Sequence, residues 1–245
     1  MTRGAIVIGA SSGIGKALAS ELAAEGYEIG LAARRTERLK AVGATLPTNS
    51  YVATMDLTDT EDAREGFFEL AEAMPSVDLV VISAGFAAIN DDLEWEPERR
   101  TIDVNVRGFT AIATAALEYF ETNPDHASEA DGHLVGLSSV AAHLGNGDAP
   151  AYNASKAFVT TYLDGLRQRE HDRDSTVTIT TIEPGFVDTE MSMGSFWECS
   201  PEMAATQIAR AIDNKRTHVY VTRRWRLVAG VLDLLPEPIV RRVIS

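Results

Sequence analysis

Tyr152 and Lys156 stand four residues apart and bring a phenol and an ammonium to one place. On a helix such a pair shares one face. A phenol near its reference pKa of about 10 gives up a proton but is a poor base at neutral pH. A neighbouring cation lowers that value and lets the group work in both directions. Alone, this pair would be an ordinary solvated helix face, so its meaning depends on the rest of the chain. A second pattern, Gly9-Ala10-Ser11-Ser12-Gly13-Ile14-Gly15, follows an apolar run and opens a helical one. Gly9 permits a tight turn, Gly13 lets the backbone approach a pyrophosphate, and Gly15 lets helix and strand pack closely. The helix start adds free N–H groups and partial positive charge.

The elements that must carry these residues can be read from periodicity. Ala5–Ile8, Glu28–Ala32, Tyr51–Thr54, Leu79–Ile82, Leu134–Leu137, Val177–Ile182 and Val219–Val221 are short apolar runs, as expected of strands covered on both faces. Helical patterns lie between them over Ile14–Glu25, Glu37–Leu46, Glu61–Ala73, Pro97–Phe120, Ala154–Arg169 and Pro201–Asn214. The alternation predicts an α/β fold: one Rossmann-type, doubly wound parallel sheet of about seven strands, with helices on both faces. Ligands then bind at the carboxyl ends of the strands. No composition shift divides the chain, so residues 1–245 are expected to form one domain. Glu121–Gly132 reads as a surface loop. From about residue 225 to 245 the tail is apolar and edged by Arg223, Arg224 and Arg226. It can pack on the core or on a subunit partner, lid a pocket, or lie peripherally on a membrane.

Composition narrows the function classes. The 245 residues carry a formal charge of −14, which argues against nucleic acid as a partner. No stretch reaches the roughly 18 to 20 apolar residues of a membrane span. Cys199 is the sole cysteine, so an intramolecular disulfide is impossible and a cytoplasmic location is expected. No metal site is expected. Arginine outnumbers lysine 18 to 4, and the acid-rich, lysine-poor balance would suit either a high-salt interior or an ordinary acidic enzyme.

Further markers appear in order along the chain. They are Asp56-Leu57, Ser83-Ala84-Gly85, Asn105, Ser139, Tyr152-Asn153-Ala154-Ser155-Lys156 and Pro184-Gly185-Phe186-Val187-Asp188-Thr189. Together with the glycine loop, this set resembles the short form of the short-chain dehydrogenase/reductase family from Gly4 to about Val221. The resemblance implies that Asp56 contacts an adenine and that the Pro184–Thr189 segment closes over a nicotinamide. Ser139, thirteen residues before Tyr152, would orient a substrate oxygen, leaving Ser138 structural. Lys156 would also bond the nicotinamide ribose, and Asn105 would hold a water beside it. Catalytic Ser139, Tyr152, Lys156 and Asn105 would then move a hydride between a nicotinamide and a ketone or alcohol, with Tyr152 handling the proton. Cofactor contacts would come from Gly9, Ser11, Ser12, Gly13, Ile14, Gly15, Asp56, Leu57, Ser83, Ala84, Gly85, Pro184, Gly185, Val187 and Thr189. Ser83 departs from the usual asparagine, and a small change in that strand's bonding is expected. A homodimer or homotetramer, paired through the Asn105–Phe120 and Tyr152–Arg169 helices, is implied as well.

Cofactor choice is legible after the second strand. An NAD enzyme usually ends that strand on an acidic residue facing the ribose hydroxyl. Here the place holds Ala33, followed by Arg34 and Arg35, whose guanidinium groups suit a 2′-phosphate, with Ser11 adding a bond. NADP(H) is therefore expected. A substrate loop over about residues 189–200 offers Met191, Met193, Phe196 and Trp197. With Leu144, Phe186 and His143 it would line a mostly apolar pocket. An apolar ketone, a lipid-like carbonyl or a 3-oxoacyl thioester would fit. The alternatives are a non-catalytic NADP-binding sensor on the same fold, which loss of Tyr152 or Lys156 would have favoured, and an extended-branch sugar-nucleotide epimerase, for which the chain leaves little room.

Overall fold

The computed structural model describes residues 3–123, 132–190 and 196–234. Its strands are β1 (Gly4–Ile8), β2 (Glu28–Ala33), β3 (Ser50–Thr54), β4 (Leu79–Ile82), β5 (His133–Leu137), β6 (Thr178–Pro184) and β7 (His218–Val221). They pair in parallel in the order β3-β2-β1-β4-β5-β6-β7. The order reverses between β1 and β4, so a crevice opens past their carboxyl ends, where Gly9 and Ser83 lie. Helices α1 (Gly13–Ala24), α2 (Thr36–Gly43) and α7 (Pro201–Asp213) cover one face, burying Leu18, Leu22, Leu39 and Ile208. Helices α3 (Thr60–Ala73), α5 (Phe109–Thr122) and α6 (Pro150–Asp172) cover the other, burying Phe67, Ile112, Val159 and Leu163. The sequence places every one of these strands to within about two residues.

Two helical patterns depart from the periodic reading in ways that bear on the site. The Pro97–Phe120 pattern divides into α4 (Trp95–Ile102), a π-helical stretch at Asp103–Gly108, and α5. A π turn widens a helix locally and is common at functional sites. Here Gly108 meets the Leu57 backbone so closely that a Cβ would sit 2.5 Å from the Leu57 carbonyl oxygen. Asp103 brackets the wide turn, accepting from Arg99 at 2.7 Å and from Arg107 at 2.9 Å. Helix α6 starts at Pro150, four residues before the predicted start, and therefore contains Tyr152. Proline suits this first helical position. The next N–H, of Ala151, donates to Glu98 Oε2 at 3.1 Å, which satisfies a group the helix leaves open.

Helix α8 (Trp225–Leu234) lies where the apolar tail was read, and its Trp225 is 5% exposed. Met191, Met193, most of the Glu121–Gly132 loop and the tail after residue 234 lie outside the described residues. No described helix is long and apolar enough to cross a membrane.

One buried group gives the fold a pH dependence. His133 on β5 bonds Thr180 Oγ1 at 2.8 Å, and burial pulls its imidazole down to about 4. The unfolded imidazole, near 6.5, binds more protons between those values. Stability is therefore lost as pH falls from about 6.5 through 4, by on the order of 3 kcal/mol. The melting midpoint should drop over that window, and His133→Gln should flatten the drop. A wild-type midpoint that is level from pH 7 to 4 would contradict this account.

Candidate active site

The site is assembled at the carboxyl ends of β1, β4, β5 and β6. Gly9 leaves β1 at φ +92°, and its N–H donates to Ala32 O at 2.7 Å. A Cβ on Gly9 would stand 2.6 Å from the Ala84 nitrogen, and one on Gly15 would stand 2.4 Å from Gly9 O. The loop therefore admits only glycine at both places. Ser12 is the N-cap of α1 but makes no side-chain cap bond, which leaves the first N–H groups of the helix free for a ligand. Gly13, at φ +55°, lies under Thr189, whose methyl would be 3.1 Å from an added Cβ. The Pro184–Thr189 segment thus reaches over the glycine loop. The Ser83 N–H donates to Ile8 O at 2.9 Å, so the β1–β4 tie is made by backbone at this point. Asp56 accepts from the Thr58 N–H and hydroxyl, while the Leu57 side chain belongs to the core.

The two arginines separate. Arg35 donates to Ser11 Oγ at 3.1 Å and Ser12 Oγ at 2.9 Å. Arg34 is exposed and has no side-chain partner among the described residues. Arg38, which the sequence reading did not single out, joins Arg35 through Glu190, with separations of 3.1 and 3.3 Å. The groove beside the loop has a volume of 490 Å³ and is lined by Ser11, Ser12, Gly13, Arg38, Thr189 and Glu190 among others. Turn glycines, a free helix start and paired guanidiniums fit a phosphate-bearing dinucleotide.

Ser139, Tyr152, Lys156 and Asn105 converge across the crevice. Ser139 bonds the Tyr152 phenol, accepts from the Ala141 N–H at 3.1 Å and lies 3.4 Å from Pro184 O. Lys156 is buried, donates to Leu137 O at 3.0 Å and holds its ammonium 5.7 Å from the Tyr152 ring centre. Burial pulls the lysine down to about 8. It also pushes the Tyr152 phenol above its ordinary value, and the Ser139 bond offsets this only in part. The sequence reading expected the ammonium to lower the phenol. In the folded chain that ammonium points at a carbonyl, and burial wins.

Asn105 sits on the π turn. Its amide accepts from the Phe86 N–H at 2.7 Å and donates to Phe86 O and Ser155 Oγ. Ser155 in turn donates to Tyr152 O at 2.7 Å. The side chain is therefore a tether between the β4 loop and the second turn of α6. A Cβ on Gly85 would come within 3.6 Å of both Asn105 Oδ1 and Lys156 Nζ, so glycine keeps that space open. Asn153, unnoticed in the sequence, donates to Ala141 O and Leu144 O and fixes the serine turn against α6. Ser138 donates to Lys156 O at 2.8 Å, a structural bond.

On the substrate side, Phe186, Phe196 and Trp197 gather around Trp225. Ring centres lie 5.6, 6.1 and 6.0 Å from that indole. The Trp225 N–H is buried and unpartnered among the described residues, and its Nε1 would lie 2.0 Å from a Cβ on Gly185. Leu144 is half-buried, and its carbonyl accepts from Asn153. His143 turns inward to Glu183 instead of facing the aromatic cluster. Cys199 is buried, and burial pushes its thiol up, as suits a passive side chain.

A family model described as short chain dehydrogenase matches residues 3–198. The chain belongs to the short-chain dehydrogenase family. It is an oxidoreductase of that family, whose members bind nicotinamide cofactors. An "uncharacterized oxidoreductase" of Myxococcus xanthus is 36% identical over 97% of this chain and 94% of its own. Two solved structures share the fold at 20% identity. A short-chain dehydrogenase/reductase from Burkholderia phymatum in complex with NAD superposes with a TM-score of 0.84, covering 94% of this chain and 92% of the other. A short-chain dehydrogenase from Sphingobium yanoikuyae in complex with NADPH gives 0.77, covering 96% and 97%.

Proposed function

We propose that the protein is an NADP(H)-dependent oxidoreductase acting on an apolar ketone or alcohol, with Tyr152 as its general acid and base. The observation that carries this reading is the phenol of Tyr152, bonded to Ser139 and backed by the Lys156 ammonium 5.7 Å from its ring. When bound, the cofactor supplies the hydride for reduction or accepts it in oxidation. Ser139 and Tyr152 hold the substrate oxygen between their hydroxyls. In reduction Tyr152 gives its proton to that oxygen as the carbon receives the hydride. A phenol protonated at neutral pH, and pushed further up by burial, suits this direction. Lys156 places positive charge behind the phenolate that remains.

Arg35, with Arg38, Ser11 and Ser12 beside it, supports the choice of NADP(H) over NAD(H). The cluster of Phe186, Phe196, Trp197 and Trp225 supports an apolar substrate. A homo-oligomer is supported by the outer face of α6, where Phe158 and Tyr162 stack at 5.4 Å and line an apolar hollow with Leu166. The buried Cys199 thiol is compatible with the cytoplasm.

The test is NADPH oxidation against ketones, aldehydes, quinones and 3-oxoacyl thioesters, with UDP- and dTDP-sugars as controls. Turnover of an apolar carbonyl supports the proposal; turnover of the sugar nucleotides alone overturns it. Arg35→Ala should weaken NADPH binding by about ten-fold or more and NADH binding far less, since charge-assisted bonds contribute about 1.5 to 3 kcal/mol. An unchanged NADPH-to-NADH affinity ratio would remove the case for NADP.

A further inference from the structure

Glu183 precedes Pro184 at the end of β6, and its side chain is 0% exposed. The proton chemistry described above does not use it, yet groups from three other elements converge on it. His143, on the turn that follows Ser139, reaches Oε2 at 2.7 Å. His218 on β7 reaches Oε1 at 3.3 Å, and the Thr160 hydroxyl on α6 reaches the same oxygen at 3.0 Å. The Tyr220 ring stacks on His218 at 5.1 Å and lies 6.2 Å from His143. Burial alone would raise the carboxyl, but the bonds from His143 and His218 overcome it and hold the group at about 2. The carboxylate is thus ionised and only accepts. Thr160 has one proton and shares it between Glu183 Oε1 and Ser138 Oγ, which lies 2.7 Å away.

A well-packed apolar side chain would usually serve stability as well as a buried charge with its partners. What the carboxylate adds is direction, because each of its bonds fixes one geometry. The elements it ties are those that carry the acid–base groups. His143 is four residues from Ser139, Thr160 is one helical turn after Lys156, and Pro184 presents the carbonyl that faces the Ser139 hydroxyl.

We propose that Glu183 is a positioning residue: through His143 and Thr160 it sets the Ser139 turn against α6, and so fixes Ser139 relative to Tyr152 and Lys156. The proposal rests on the acid–base reading of those residues. Displacements of about 1 Å from a distant change can cost on the order of 100-fold in rate. Glu183→Gln should therefore lower kcat between about 10- and 100-fold while KM and NADPH affinity hold. Thr160→Val, the milder change, should lower kcat in the same sense. His143→Ala should do so too, whereas His143→Gln, which keeps a donor, should restore most of the rate. If kcat is unchanged in both Glu183→Gln and Thr160→Val, the proposal fails. If the wild type turns over no carbonyl compound, it is the functional reading that fails. Crystal structures of Glu183→Gln and Thr160→Val then decide the positioning role without a substrate. A lengthened Ser139–Tyr152 contact supports it, and an undisturbed one in both variants overturns it.

Discussion

Tyr152→Phe will retain NADPH binding and lose turnover by about 10²- to 10⁴-fold, the usual contribution of a positioned acid or base. The substitution removes one hydroxyl. The ring stays packed beside Lys156, and the bonds from Asn153 that hold α6 to the serine turn do not involve the phenol, so the fold has no reason to move. Steady-state reduction of the best carbonyl substrate, with NADPH affinity measured by fluorescence, separates the two quantities. A phenylalanine variant that turns over at the wild-type rate would mean that the proton comes from elsewhere. The wild type should also show a pH signature. Lys156 titrates at about 8, so reduction should be level below that value and decline above it as the positive charge is lost. Oxidation should gain with rising pH, since the phenol is protonated at neutrality and burial pushes its value further up.

Gly9→Ala will carry two costs at once, backbone strain and overlap with a fixed backbone atom. The residue sits at φ +92°, a backbone region that side chains disfavour by about 1 to 3 kcal/mol. Its new Cβ would also be driven to 2.6 Å from the Ala84 nitrogen, a backbone atom that cannot swing aside. Overpacking adds about 1 to 3 kcal/mol. The loop must then shift away from β4, and the phosphates of the dinucleotide lose their seat with it. The expected result is a large drop in thermal stability together with loss of detectable NADPH binding. Gly26→Ala is a useful control: it shares the positive φ, but nothing lies within 4 Å of its would-be side chain, so it should show only the backbone strain. If Gly9→Ala melts like Gly26→Ala and binds NADPH normally, close approach of the loop is not what this glycine provides.

The strands were legible because each is a short apolar run, with β1, β4 and β5 buried on both faces, and the glycine loop because its spacing follows β1 directly. Tyr152 and Lys156 could be placed on one helix face from four-residue spacing. Where the reading fell short, the cause lies in contacts distant along the chain. The π turn under Asn105 goes with the close packing of Gly108 on Leu57, which no local pattern announces. Glu190 meets Arg35 and Arg38 from more than 150 residues away, so the sequence could nominate Arg34 and Arg35 but not tell them apart. His143, read as a pocket residue from its nearness to Ser139, is claimed by a carboxylate 40 residues on. The earlier start of α6 did have a local sign, Pro150 in the first-turn position, which the apolar periodicity obscured.

The indole of Trp225 gives the protein a built-in optical gauge. Of its three tryptophans, Trp95 and Trp197 are 69% and 43% exposed, while Trp225 is enclosed against Phe186 and Gly185. Its emission is therefore the blue-shifted component, and it comes from a ring touching the segment that reaches over the glycine loop. Reduced nicotinamide absorbs where such an indole emits. Quenching of the blue edge on mixing with NADPH thus follows arrival of the cofactor in real time, with no label attached.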